Sequence, residues 1–72
     1  DAVEVGATVT VQNQEGKSYQ YTITGSAEAD PSQGKISNVS PIGRSLLGKK
    51  VGEVTEVSAP SGKIKLEIIS ID

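Results

Sequence analysis

Fifteen of the 25 apolar residues in this chain are Val or Ile, and no Phe, Trp, Met, Cys or His accompanies them. β-Branched side chains are stiff at χ1 and pack well on a pleated, half-buried surface. A core made from them is predicted to be a sheet. At 72 residues the chain is one small domain, close to the lower limit of independent folding and burying only about 60% of its unfolded surface. The missing residue types also exclude chemistry. No disulfide and no Cys/His zinc site can form, and neither a thiol nucleophile nor an imidazole base is available. Composition therefore argues against an enzyme, and no cofactor or metal is expected. No apolar run approaches the ~20 residues that span a bilayer, and Asp1 and Glu4 give the start the wrong charge for a signal peptide. A cytoplasmic protein without membrane association is expected.

Alternation places the elements. Ala7 to Gln12 sets Val9 and Val11 against Thr8, Thr10 and Gln12, the pattern of a half-buried strand. Asn13-Gln14-Glu15-Gly16 reads as a hairpin turn, and Lys17 to Thr24 as the returning strand with Tyr19, Tyr21 and Ile23 on one face. Gly25 to Gly34 is a polar loop. Lys35 to Val39 is a short extended piece. Ser40-Pro41 opens a helix, with Ser as cap and Pro at the first helical position. Ile42, Ser45, Leu46 and Leu47 form its face, and Gly48 ends it in the left-handed conformation. Glu53 to Ala59 is a strand whose imperfect alternation at Val54 and Val57 suggests a bulge. Pro60-Ser61-Gly62 is a tight turn before the last strand, Lys63 to Ile71. There Ile64, Leu66 and Ile68 share a face, before Ile69 and Ile71 change sides through a late bulge or two-sided burial. The resulting fold class is α+β, an antiparallel sheet curled over one short helix. No long crossover helix is present to support parallel pairing.

Charge is distributed unevenly. Residues 1–34 hold one base and five acids, whereas residues 35–72 hold six bases and four acids. Lys35, Arg44, Lys49 and Lys50 form a stretch without an acid, suited to an acidic partner surface. Three other candidate motifs fail on their chemistry. Gly43 to Lys49 fits G-x-x-x-x-G-K, but Lys50 stands where a phosphate loop needs Ser or Thr, and the helix lies inside the motif instead of starting at its Lys. Asn38-Val39-Ser40 is a glycosylation sequon followed by Pro41. Glu28 and Asp30 lie in the polar loop with no third ligand in sequence reach. Tyr19 and Tyr21 have the spacing to stack nucleic-acid bases. The net charge of −2 and the lack of other aromatics favour a core role for at least one of them, and no direct sequence-specific nucleic-acid binding.

The stretch Ile36-Ser37-Asn38-Val39-Ser40-Pro41-Ile42-Gly43-Arg44-Ser45-Leu46-Leu47-Gly48-Lys49-Lys50-Val51-Gly52-Glu53 resembles the C-terminal domain of the bacterial transcript cleavage factors GreA and GreB. The family pattern is I-S-x-x-S-P-[IM]-[GA]-R-x-L-[IL]-G-K followed by V-G-[DE]. Val5 to Val11 is similar to its opening strand, Gly25 to Asp30 to its G-x-x-E-A-D loop, and Ala59 to Gly62 to its P-x-G hairpin. Nearly the whole chain is covered and several spaced elements agree in order, so one such domain is expected over residues 1–72.

The resemblance implies an FKBP-like fold and a domain separate from the coiled coil that carries the family's acidic, cleavage-stimulating tip; that coiled coil is absent from these residues. It implies a monomeric docking module whose partner is RNA polymerase, at the rim helices of the largest subunit beside the secondary channel. Family contact residues carry over to Ser37 and Pro41. Val39 stands where the family has a polar or acidic residue, and Ser40 completes the segment. Arg44, Lys49 and Lys50 are expected to give electrostatic support. Ser40 and Pro41 also have purely structural roles open to them, as helix cap and first helical residue. Two other readings share this fold. One is an FKBP-type prolyl isomerase, opposed by the shortage of aromatics for a proline pocket. The other is a non-cleaving Gre relative, such as a Gre-type inhibitor or a nucleoside diphosphate kinase regulator.

Overall fold

A computed structural model describes residues 2–59 and 61–72. The chain forms strands β1 (Thr8–Gln12), β2 (Ser18–Thr24) and β3 (Lys35–Ser37), helix α1 (Pro41–Leu46), then strands β4 (Val54–Ala59) and β5 (Gly62–Ile71). One sheet holds all five in the order β3-β2-β1-β5-β4. The β1–β2 hairpin turns where expected. Asn13 Oδ1 accepts hydrogen bonds from the N–H groups of Glu15 and Lys17, each at 2.9 Å, and Gly16 supplies a positive φ of 84°. Ala59 lies opposite Gly62 at the second hairpin; Pro60, central to the turn expected there, lies outside the described residues.

The α+β class and the short helix match the expectation, but the sheet is mixed. β3 pairs parallel to β2, with Ile23 opposite Ile36. A purely antiparallel sheet was expected because no crossover helix was visible. The polar loop provides the crossover instead. It folds into two 3₁₀ turns, Ser26–Glu28 and Pro31–Gln33, that carry the chain back to the start of β3. Asp30 caps the second turn, its Oδ1 accepting from Ser32 N–H at 3.2 Å and Ser32 Oγ at 2.6 Å. That carboxylate is thereby employed in the backbone of the loop.

The core comprises Val3, Val9, Val11, Ile23, Ile36, Leu46, Val57, Leu66 and Ile68, all on the inner face of the sheet, on α1 or on the entering segment. Tyr21 packs against it and Tyr19 is 39% exposed, so one tyrosine of the pair is core and the other is rim. The late bulge is present. β5 runs opposite β1 as Ile71–Val9 and Ser70–Thr10, then as Ile68–Val11, leaving Ile69 as the extra residue on the outer side. One inserted residue switches faces without breaking the pairing, which lets both Ile68 and Ile71 turn inward. The bulge expected in β4 is absent. Its register with β5 is unbroken, Val54 points outward at 57% exposure, and Thr55 takes the inward position. A threonine is accepted there because Thr55 Oγ1 donates to the Ser45 carbonyl of α1 at 3.1 Å. Among the described residues no helix is long and apolar enough to cross a membrane.

Candidate docking surface

The Ser37–Pro41 segment forms a tight corner between β3 and α1. Asn38 N–H bonds to the Thr24 carbonyl of β2 at 2.9 Å, which holds the corner to the sheet. The Ser37 carbonyl then accepts twice from Ser40, from its N–H at 3.1 Å and from its hydroxyl at 2.7 Å. Ser40 Oγ in turn accepts from Gly43 N–H at 3.2 Å, satisfying one of the donors left free at a helix start. Pro41 follows at the first helical position, where no N–H is missed. On the other side of the corner Ser37 Oγ accepts from Val39 N–H at 3.1 Å and lies 3.0 Å from Ser26 Oγ.

The result is a braced corner that displays Val39, 64% exposed, with Pro41 exposed beside it. Ser40 braces the site, its hydroxyl committed on both sides. Ser37 is half-buried, with its hydroxyl at the surface end of the network. Gly43 is a residue that sequence reasoning left without a role. A Cβ there would overlap the Ser37 carbonyl oxygen and stand 3.1 Å from Ser40 Oγ. The family pattern accepts Gly or Ala at this position; the close approach in this chain requires Gly. The available signal was a glycine inside a two-turn helix, where it costs about 1 kcal/mol relative to Ala and so asks for a packing reason.

The basic residues divide. Arg44 is exposed one turn after Pro41, and the two line a shallow depression with Ser45, Glu56, Val57 and Ser58. Lys49 and Lys50 lie beyond the far end of α1. There Gly48 turns the chain with a φ of 82°, Val3 N–H bonds to the Lys49 carbonyl at 2.8 Å and Ala2 bridges to Lys50. A six-residue helix is about 9 Å long, so these lysines are separated from the corner by the length of the element. The fold thus brings Ser37, Val39, Ser40, Pro41 and Arg44 to one side, and puts Lys49 and Lys50 beside the entering N-terminal segment.

Comparison with known proteins places the chain in a family. The family model described as "Transcription elongation factor, GreA/GreB, C-term" matches residues 1–72. The chain is 54% identical over 72 residues to the transcription elongation factor GreA of Thermoanaerobacter pseudethanolicus, covering 99% of this chain and 46% of that protein. It is 51% identical over 70 residues to GreA of Bacillus cereus, covering 96% of this chain and 44% of that protein. Among solved structures it is similar to GreA factor homolog 1 (Gfh1) of Thermus thermophilus, with a TM-score of 0.88, 29% identity, and coverage of 100% of this chain and 49% of that one. It is also similar to a GreA/GreB factor from Nitrosomonas europaea, with a TM-score of 0.81, 27% identity, and coverage of 96% and 58%. These likenesses define the class, a domain of a bacterial transcription elongation factor and not an enzyme. The chain belongs to the GreA/GreB family and corresponds to its C-terminal domain. It spans less than half the length of these curated relatives.

Proposed function

We propose that this domain docks a transcript cleavage factor onto RNA polymerase. It acts as a monomer in the cytoplasm, at the rim helices of the largest subunit beside the secondary channel. The chemistry that helps the polymerase cut backtracked RNA lies in the acidic coiled coil of the full-length factor, and this domain supplies position. The observation that supports the reading is the braced corner. Six hydrogen bonds around Ser37 to Gly43 fix a turn whose exposed members, Val39 and Pro41, have no core role. A rigid, displayed turn binds with little ordering cost.

The test is binding of this chain to bacterial RNA polymerase core, with a Ser37→Ala, Pro41→Ala variant checked for folding by circular dichroism. Binding that is lost while the fold survives supports the docking edge; equal binding by the variant refutes it. Charge reversal adds a spatial test. Arg44→Glu is expected to weaken association at low salt more than Lys49→Glu with Lys50→Glu, because only Arg44 stands on the corner side. An equal loss from both would refute that placement.

A further inference from the structure

The two edges of the sheet are built differently. β3 is three residues long, and its outer side is occupied by the loop that precedes it. Asp30 N–H bonds to the Lys35 carbonyl at 2.8 Å, Lys35 N–H bonds to the Asp30 carbonyl at 3.1 Å, and the Ser37 carbonyl is taken by Ser40. β4 closes the other end of the sheet, and among the described residues no further strand pairs with it. Its six residues hold no proline and its register with β5 is unbroken, so neither a proline nor a bulge blunts this edge. The unpaired backbone groups can be placed. Ile68 N–H donates to the Glu53 carbonyl at 2.9 Å, which makes Glu53–Ile68 a hydrogen-bonded position of the ladder. Alternation in an antiparallel pair then turns the N–H and C=O groups of Thr55 and Val57 toward β5, and those of Val54, Glu56 and Ser58 away from it. The side chains of Val54, Glu56 and Ser58 are exposed, whereas those of Thr55 and Val57 are buried.

A depression of about 250 Å³ runs beside Glu56, Val57 and Ser58, with Pro41, Arg44 and Ser45 of α1 as its other wall. We propose that this edge takes an extended, acidic segment of the docking partner as a sixth strand, its main chain bonded to Glu56 and Ser58 and a carboxylate set on Arg44. The inference rests on the polymerase-docking reading and names a second, main-chain contact with that partner. Strand addition draws affinity from main-chain hydrogen bonds and specificity from the side chains beside them. Two observations select the occupant. The first is charge. Arg44 belongs to a stretch from Lys35 to Lys50 without an acid, and among the described residues it makes no ion pair. Glu56, the acid of the depression, is turned to Lys63, with Nζ to Oε1 at 3.9 Å. A second copy of β4 is therefore a poor occupant, because the carboxylate it would bring is already held by a lysine. The second observation is continuity. Pro41 is displayed at the corner and also lines the depression, so a partner seated on the corner reaches the edge directly.

The experiment follows amide hydrogen exchange of this chain, free and bound to bacterial RNA polymerase core, quenched and read residue by residue by NMR. The Glu56 and Ser58 amides are expected to exchange fast in the free chain and about tenfold or more slowly in the complex, while Val57, paired with β5 in both states, changes far less. Alternation of this kind marks a strand added to the edge and not a surface laid over it. The Kd of Ser58→Pro and Ser58→Ala for the same polymerase is measured alongside, with each variant checked by thermal melting. Proline removes the outward N–H at a position where an edge strand accepts it. Kd is expected to rise about fivefold or more in Ser58→Pro and to stay within about twofold in Ser58→Ala. Should Ser58→Pro fail to fold, the exchange measurement decides. Free-chain exchange rates kept by both amides in the complex, or a folded Ser58→Pro that binds like the unaltered chain, would overturn the edge. Loss of binding by Ser37→Ala, Pro41→Ala would then leave the docking reading intact. Failure of the unaltered chain to bind would overturn both.

Discussion

Ser40→Ala is the most informative single change, because both roles of one hydroxyl can be separated. The hydroxyl accepts from Gly43 N–H at 3.2 Å and donates to the Ser37 carbonyl at 2.7 Å. Loss of an N-cap oxygen costs about 1 kcal/mol. Loss of the second bond costs about 0.5–1 kcal/mol, at the low end because the Ser37 carbonyl keeps the Ser40 N–H at 3.1 Å. The expected total is about 1.5–2 kcal/mol, which lowers the melting temperature of a domain this size by roughly 6–16 °C. That is a large share of the few kcal/mol a small core supplies. Two further variants separate the terms. Ser40→Thr keeps donor and acceptor and should stay within about 0.5 kcal/mol of the unaltered chain. Ser40→Asp keeps the acceptor only and sets a carboxylate against the Ser37 carbonyl, so it should recover little over Ala despite being a good cap elsewhere. Urea denaturation followed by circular dichroism gives the values, provided the m-value is unchanged. An Ala variant as stable as the unaltered chain, or an Asp variant as stable as Ser, would refute the reasoning.

Thr55→Val removes the tie from β4 to the Ser45 carbonyl while preserving shape, and should cost about 0.5–1.5 kcal/mol by the same denaturation assay. Tyr21 is held above the usual phenol value of 10.0, first by burial and then by the charge of Tyr19, so the folded state keeps its proton longer than the unfolded state does. Its contribution is therefore fully present below pH 10 and is lost as pH rises through the higher folded value. Melting temperature measured from pH 9 upward should fall less steeply in Tyr21→Phe than in the unaltered chain; equal slopes would count against the assignment.

Much of this was legible in residue order because the signals are local. Ser40-Pro41 before a short apolar face, and Gly48 after it, specify a helix start and stop by backbone chemistry alone, and α1 begins and ends accordingly. Val9 and Val11 alternate with threonines, and the strand they mark is β1. The misread features depend on partners distant in the chain. The parallel pairing of β3 with β2 required knowing that a polar loop could wind into two 3₁₀ turns and act as a crossover. In β4 the uneven alternation of Val54 and Val57 suggested a bulge. The Ser45 carbonyl, ten residues earlier, makes one unnecessary by satisfying Thr55 in the inward position. In the candidate site, Ser37, Val39, Ser40 and Pro41 were adjacent in sequence and stayed together. Lys49 and Lys50 separated from Arg44 because a helix of fixed rise lies between them.

By itself the sequence determined the element types, the capped helix and the family, since each is written in contiguous residues whose local geometry has few solutions. Tertiary structure alone decided which apolar residues line an open groove. Ile42, Val57 and Ile64 come from three different elements, and each reads as ordinary core by its own pattern. Only when α1 settles against the inner face of β4 and β5 does the space between them become a groove, because a six-residue helix is too short to fill the concavity of a curled five-stranded sheet.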